Sequence, residues 1–148
     1  MPTSAESTSA EYMPSPWEFV ADTVRQYEET GGREGGTLEG QPCVILTTRG
    51  RHSGKLRKTP LMRVEHDGTY AVVASMGGAP KHPVWYLNLV ADPAVTLQDG
   101  PEVSARRARI VAGDEKHEWW ARAVAVWPSY DEYQAATDRE IPLIVLER

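Results

Sequence analysis

"CVILTTRGRHSGKLRKTPLMRVEHDGTYAVVAS", running from Cys43 to Ser75, decides the fold. Cys43-Val44-Ile45-Leu46-Thr47-Thr48 is a β-branched run that reads as a strand. Gly50 to Gly54 is a turn, and Thr59 to Glu65 reads as a second strand. His66-Asp67-Gly68 is a tight hairpin signal, and Tyr70-Ala71-Val72-Val73-Ala74-Ser75 follows as a third strand. Two hairpins in succession make an antiparallel meander.

Downstream, Met76 to Pro83 breaks the sheet, and Val84 to Val90 predicts a short helix that Asp92-Pro93 ends. Val95 to Gln98 and Val103 to Val111 read as strands separated by Asp99-Gly100-Pro101. Asp114 to Val126 predicts a helix with Asp114 as its cap and Pro128 as its stop. Tyr130 to Asp138 adds a helical turn or two, and Ile141 to Leu146 is a last strand interrupted at Pro142. Upstream, Ser15-Pro16-Trp17-Glu18 carries the pattern of a capping box. Trp17, Val20, Val24 and Tyr27 then form an apolar stripe, and Gly31-Gly32 ends the helix. The stripe suits packing on the core; with Trp17 and Phe19 exposed it also suits a lid or a helix lying on a membrane surface. Residues 1–14 read as a flexible tail and residues 15–148 as a single domain. About six strands with peripheral helices suggest a small closed or split antiparallel β-barrel. The absence of regular βαβ alternation argues against a doubly wound sheet.

The chain has 148 residues, 41% of them hydrophobic and 25% charged, which suits one globular domain. Its net charge of −5 argues against a general nucleic-acid binder. Cys43 is the only cysteine, so an intrachain disulfide and a cysteine-based zinc site are excluded, as suits a reducing cytoplasm. No signal peptide is evident and no apolar run reaches the length of a membrane span. The four histidines lack metal-ligand spacing, and there is no dinucleotide fingerprint, P-loop or nucleophile elbow. An enzyme built from this chain would therefore depend on a bound cofactor for its chemistry.

Three stretches carry candidate chemistry. The first is Arg49 to Arg63, where an acidic chain gathers six of its sixteen Lys and Arg residues (Arg49, Arg51, Lys55, Arg57, Lys58 and Arg63) with no Asp or Glu among them. Ser53 and Thr59 add hydroxyls. Such a cluster is either a solvated turn or an anion site, and Arg57 offers the planar fork that phosphate or carboxylate favours. The second is Ser75-Met76-Gly77-Gly78-Ala79-Pro80. Paired glycines let a flat ring lie against bare backbone, with Trp85 in reach, or they make a plain strand-to-helix loop. The third is Trp127-Pro128-Ser129-Tyr130-Asp131-Glu132-Tyr133. Tyr130 and Tyr133 share a helical face that either lines a pocket for a planar substrate or joins the core.

Together these stretches resemble a known family. "LTTRGRHSGKLRKTPLMRVEHDGTYAVVASMGGAPKHPVWYLNLVADPAVTLQDG" and "WPSYDEYQAATDREIPLIVLER" are similar to the deazaflavin-dependent nitroreductases and quinone reductases, which use coenzyme F420; the likeness runs from about Thr30 onward. It implies a split β-barrel related to the flavin-binding barrels, and hydride transfer from a reduced deazaflavin with a flat ring, a phosphodiester and a tail of glutamates. On that likeness Lys55, Arg57, Lys58 and Thr59, with Arg51, would hold the phosphate and tail. Pro60, Met62, Ala74, Met76, Gly77, Gly78, Ala79, Pro80, Trp85 and Asn88 would contact the ring. Ser75, Trp127, Tyr130 and Tyr133 would face the substrate. Trp127 stands where the family pattern allows a Tyr.

The expected activity is reduction of an electron-poor acceptor, a quinone first and nitroaromatics or nitroimidazoles incidentally. Ser75 and Tyr133 would hydrogen-bond the acceptor oxygen, and Tyr130 or water would deliver the proton. Three rivals remain open at this stage: a barrel holding flavin mononucleotide (FMN), a non-enzymatic F420 carrier, and a nucleic-acid binder using the basic turn. The last is disfavoured because no aromatic residues interleave with the basic ones.

Overall fold

The first hairpin of the meander frames the molecule. In the computed structural model, which describes residues 11–148, the elements run α1 (Glu18–Thr30), β1 (Thr37–Leu38), β2 (Gln41–Arg49), β3 (Leu56–Met62), β4 (Val64–His66), β5 (Thr69–Val73), a 3-10 turn (Met76–Gly78), α2 (Val84–Ala91), β6 (Ala94–Asp99), β7 (Glu102–Ile110), α3 (Gly113–Val126), α4 (Ser129–Ala135) and β8 (Leu143–Glu147). Most of the segment assigned to a flexible tail, residues 1–10, lies outside the described residues. β2 and β3 pair antiparallel from Cys43 opposite Met62 to Arg49 opposite Leu56.

The sheet curls into a half-barrel with strand order β1-β2-β6-β7-β8-β5-β4, and β3 adds to β2. Every pairing between these strands is antiparallel. The described residues thus hold eight strands rather than about six. One extra strand, Thr37–Leu38, sits in the Gly-rich link, where two residues are too few for periodicity to show. The other arises because the run from Thr59 to Glu65 breaks at Arg63: β3 pairs with β2, and β4 turns away to pair with β5. The Arg63 amide still donates to the Pro42 carbonyl at 3.0 Å, one step past the Cys43–Met62 pair in the same register, and its guanidinium grips both oxygens of Asp99 at 3.1 and 2.9 Å.

Both faces of β2 are covered, which is why Cys43 to Leu46 reads as a continuous apolar run rather than an alternating one. Val44 and Leu46 point into the barrel with Val72, Leu97, Ile144 and Leu146. Cys43 and Ile45 point outward, under Val24 and Tyr27 of α1. A third cluster lies between the other face of β5 and β8 and the helix α3, around Ala71, Val145, Trp119 and Ala123. Burial pushes the Cys43 thiol up to about 11, so it is a neutral core side chain.

Helix starts differ from the capping signals. α1 begins at Glu18 with Trp17 in the cap position, and the Ser15 hydroxyl instead accepts from the Trp17 amide at 3.1 Å, one residue before the helix proper. Asp114 lies inside the first turn of α3, whose cap position is Ala112. The end of α1 is as read: Gly31 takes a left-handed conformation, φ 64°.

One tyrosine ties α1 to the barrel. Tyr27 Oη donates to the Cys43 carbonyl at 3.0 Å and accepts the Gly100 amide at 2.7 Å, so it joins α1 to β2 and to the β6–β7 turn. Tyr27→Phe keeps the packing but strands a buried carbonyl and an amide. A loss of about 1–3 kcal/mol is expected, read as a lower urea midpoint at unchanged slope.

Candidate active site

The ends of β3 and β5 and the chain leaving β5 line a cleft of about 480 Å³ that helix residues complete. Pro60, Leu61 and Met62 form one wall and Val73, Ser75, Met76 and Gly77 another. Pro83 and Trp85 close it from the start of α2, Trp127 from just past the end of α3, and Tyr130 and Tyr133 from α4. Phe19, Thr37, Leu38 and Glu39 complete the mouth.

The loop after β5 has an unusual backbone. Met76, Gly77 and Gly78 all lie in the left-handed region, with φ of 47°, 64° and 82°. At Gly78 close approach explains the glycine: a Cβ there would lie 2.8 Å from the Tyr133 carbonyl oxygen. At Gly77 a Cβ would meet nothing within 4 Å, so this glycine presents bare backbone to open space. Arg139 holds the loop from behind. Its Nε donates to the Ala79 carbonyl at 3.0 Å, one terminal nitrogen to the Ala74 carbonyl at 3.0 Å, and the other to the Ser75 carbonyl at 2.7 Å. The nitrogen on Ala74 also lies 3.0 Å from His82 Nδ1. A guanidinium only donates, so Nδ1 accepts and the His82 ring is neutral with its proton on Nε2. Burial, and then the Arg139 charge, hold its pKa below the usual histidine value.

Two hydroxyls point into the cleft. Neither Ser75 Oγ nor Tyr130 Oη bonds another described residue, yet no side-chain polar atom sealed from solvent among the described residues lacks a partner. Both tips therefore reach the open space of the cleft, although Ser75 and Tyr130 are buried as residues. Desolvation, and then Tyr133, raise the Tyr130 pKa well above the ordinary phenol value. Trp127 Nε1 donates to Tyr133 Oη at 3.2 Å. With that oxygen accepting, the Tyr133 proton is free to be donated into the cleft.

Alternation along β3 divides the basic cluster. Arg57 and Thr59 share a face with Leu61, which packs on the barrel core and lines the cleft. Lys58 points the other way and pairs with Glu28 of α1, its ammonium 4.7 Å from the Tyr12 ring centre. Lys55 pairs with Glu11 at 2.9 Å. Residues 11–13 lie against β3, with Tyr12 bridged to Leu56, and Arg57 reaches Met13 Sδ at 3.3 Å. No carboxylate among the described residues lies in ion-pair distance of Arg57. Asn88, expected on the ring, does not line the cleft; its buried amide accepts the Arg51 backbone N–H at 3.1 Å and reaches Thr48. Ala74 is fully buried and Pro80 exposed, and neither they nor Gly78 and Ala79 line the cleft.

A family model described as F420H(2)-dependent quinone reductase matches residues 20–148. The chain belongs to the F420H2-dependent quinone reductase family. The F420H(2)-dependent quinone reductase Rv1261c of Mycobacterium tuberculosis is 35% identical over 126 residues, covering 82% of this chain and 85% of that one. A solved structure described as F420-H2 dependent reductase (FDR-A) is 53% identical, with a TM-score of 0.68 over 72% of this chain and 94% of the other. Another, described as a domain-swapped dimer, is 47% identical with a TM-score of 0.71, covering 90% and 100%.

Within this family member the cleft gathers nine of the residues singled out in the sequence: Pro60, Met62, Ser75, Met76, Gly77, Trp85, Trp127, Tyr130 and Tyr133. It also contains Phe19, Thr37, Leu38, Glu39, Leu61, Val73 and Pro83, which sequence reasoning did not assign to the site. The exposed Phe19 was the one detectable signal among them. Arg139 left no signal, since its three carbonyl partners lie some sixty residues upstream. The two loop glycines give a contrast to measure. Gly77→Ala should cost about 1–2 kcal/mol, the left-handed penalty alone. Gly78→Ala adds a collision with the Tyr133 backbone, so its thermal midpoint should fall further and the cleft should widen.

Proposed function

We propose that this chain binds F420H2 in the cleft and reduces quinones. The observation that carries the reading is the meeting of a bare-backbone wall, Met76 and Gly77, with two unpartnered hydroxyls, on a face that continues along β3 to Arg57. The fit to a deazaflavin rests on the same features: walls at Pro60, Met62 and Trp85, no Cβ over Gly77, and, at Arg57 on the face that leads to the cleft, a cation with no carboxylate among the described residues in ion-pair distance. When bound, the coenzyme supplies the hydride, and the quinone takes up that hydride and one proton to become the hydroquinone. Trp85 and the Met76–Gly77 wall fix the ring, so that proximity and orientation lower the barrier. Ser75 Oγ and Tyr133 Oη donate to the acceptor oxygen as negative charge develops there. Trp127 takes the place of a hydroxyl donor by holding Tyr133 with its proton turned inward. Burial keeps Tyr130 protonated, so it acts as a fixed donor while the proton enters past the less buried Tyr133.

Arg57 and Thr59, with Lys55 and Arg51, would take the phosphate and anionic tail. Lys55 must exchange Glu11 for a carboxylate of that tail, and Lys58 stays with Glu28. Nitroaromatics and nitroimidazoles fit as incidental acceptors because they present an electron-poor ring and an oxygen to the same donors. The peripheral membrane contact has its basis in Trp17 and Phe19, both more than 70% exposed, the second at the cleft mouth. No helix among the described residues is long and apolar enough to cross a membrane.

The test is loss of F420H2 absorbance with a soluble quinone. Tyr133→Phe should lower kcat about tenfold or more with a smaller change in KM, and Trp127→Phe should lower it less. A yellow protein that binds FMN and leaves F420H2 unoxidised contradicts the reading. In the same assay, Lys55→Ala with Arg57→Ala should raise the coenzyme KM, more so for longer glutamate tails; equal binding of all tail lengths would contradict the tail assignment.

A further inference from the structure

We infer that Arg139 is the positioning residue of the coenzyme wall: by holding the carbonyls of the loop, it turns the loop's amides into the cleft as hydrogen-bond donors. The inference rests on the F420H2 reading of the cleft and adds to it what the backbone itself contributes.

The geometry follows from the planar peptide. In a trans peptide the carbonyl of one residue and the N–H of the next point in opposite directions, and no described peptide bond is cis. Arg139 takes the carbonyls of Ala74 and Ser75. The N–H groups of Ser75 and Met76 therefore point away from Arg139, and both residues line the cleft on the far side of the loop. Ser75 is right-handed, φ −78° and ψ −40°, and Met76 is left-handed, φ 47°. That succession draws consecutive amides together into a concavity that accepts an electron-rich atom. Among the described residues no hydrogen bond occupies the amide of Ser75, Met76 or Gly77.

The donors suit an electron-rich oxygen or ring nitrogen of a flat heterocycle. Such an atom gains negative charge when the ring is reduced, so the amides hold the reduced form more tightly than the oxidised one. Arg139 does not touch the ligand. Its own placement comes from the opposite wall: its carbonyl accepts from Gln134 Nε2 at 2.8 Å, at the end of α4, and its amide donates to Thr137 Oγ1 at 3.1 Å. The residue thus couples the ring-binding loop to the helix that bears Tyr130 and Tyr133.

The test uses Arg139→Met and Arg139→Lys, with Arg106→Met as a stability control. Arg106 is buried at the far end of the barrel, where it donates to the carbonyls of Gly68 and Leu146. For each protein one measures the thermal midpoint, the Kd for oxidised and for reduced F420, and KM and kcat with a quinone. Arg139→Met should weaken reduced-coenzyme binding about tenfold, oxidised binding less, and raise the coenzyme KM more than it lowers kcat. Arg139→Lys should fall between it and the parent, and it supplies the result if Arg139→Met does not fold. Arg106→Met should lower the midpoint and leave both Kd values unchanged. The inference is overturned if the Arg139 variants lose stability with coenzyme Kd and KM at parental values, or if oxidised and reduced coenzyme weaken equally. Failure of the parent protein to bind F420 would instead defeat the function reading.

Discussion

One guanidinium holds the cleft together. Arg139 spends its donors on three carbonyls of the loop after β5 and on His82, while its own backbone is tied to the end of α4. Hydrogen bonds to a charged donor are each worth about 1.5–3 kcal/mol, although bonds sharing one side chain do not add simply. They offset a loop that is costly on its own: Met76 carries a side chain in the left-handed region, which costs about 1–2 kcal/mol. Without the arginine the loop keeps only its own backbone bonds, from the Gly78 amide to Ser75, from the Ala79 amide to Met76 and from the Ala74 amide to Pro142. With it, the walls face each other at a spacing set by the Gly78 contact with Tyr133.

The charges follow the same economy of position. An acidic chain concentrates cations on one hairpin, and β-strand alternation then sorts them. Lys58 falls on the outer face, where Glu28 and Tyr12 take it up, and Arg57 falls on the face that leads into the cleft. The Glu11–Lys55 pair is exposed and weak in salt, so it yields readily to a polyanion. The Tyr133 hydroxyl is oriented by a neighbour, because the Trp127 indole N–H occupies one side of its oxygen.

Much of this was legible in the residues. Turn signals at Gly50–Gly54 and His66–Gly68 put the meander in place, and the β-branched run from Cys43 marked β2. Motif order pointed to the family, and nine assigned positions meet in the cleft. What escaped was set by distance or by too little chain. The kink at Arg63 depends on Asp99, thirty-six residues away. β1 is two residues long. Asn88 looks like a ring contact in the motif, yet its amide is spent on the Arg51 turn. Glycine pairs announced a special loop, but nothing local said that Gly78 answers to packing and Gly77 to open space. Adjacent residues also deceive: Arg57 and Lys58 read as one cluster and part to opposite faces.

The most direct test of the account is a crystal structure of the protein with oxidised F420 bound. The account predicts the ring against Gly77 and Trp85, with the Ser75 and Met76 amides in hydrogen-bond range of a ring heteroatom, the anionic tail running toward Arg57, and Arg139 still on its three carbonyls. A ring seated outside the cleft, or a loop whose carbonyls have left Arg139 to face the ligand, would contradict it.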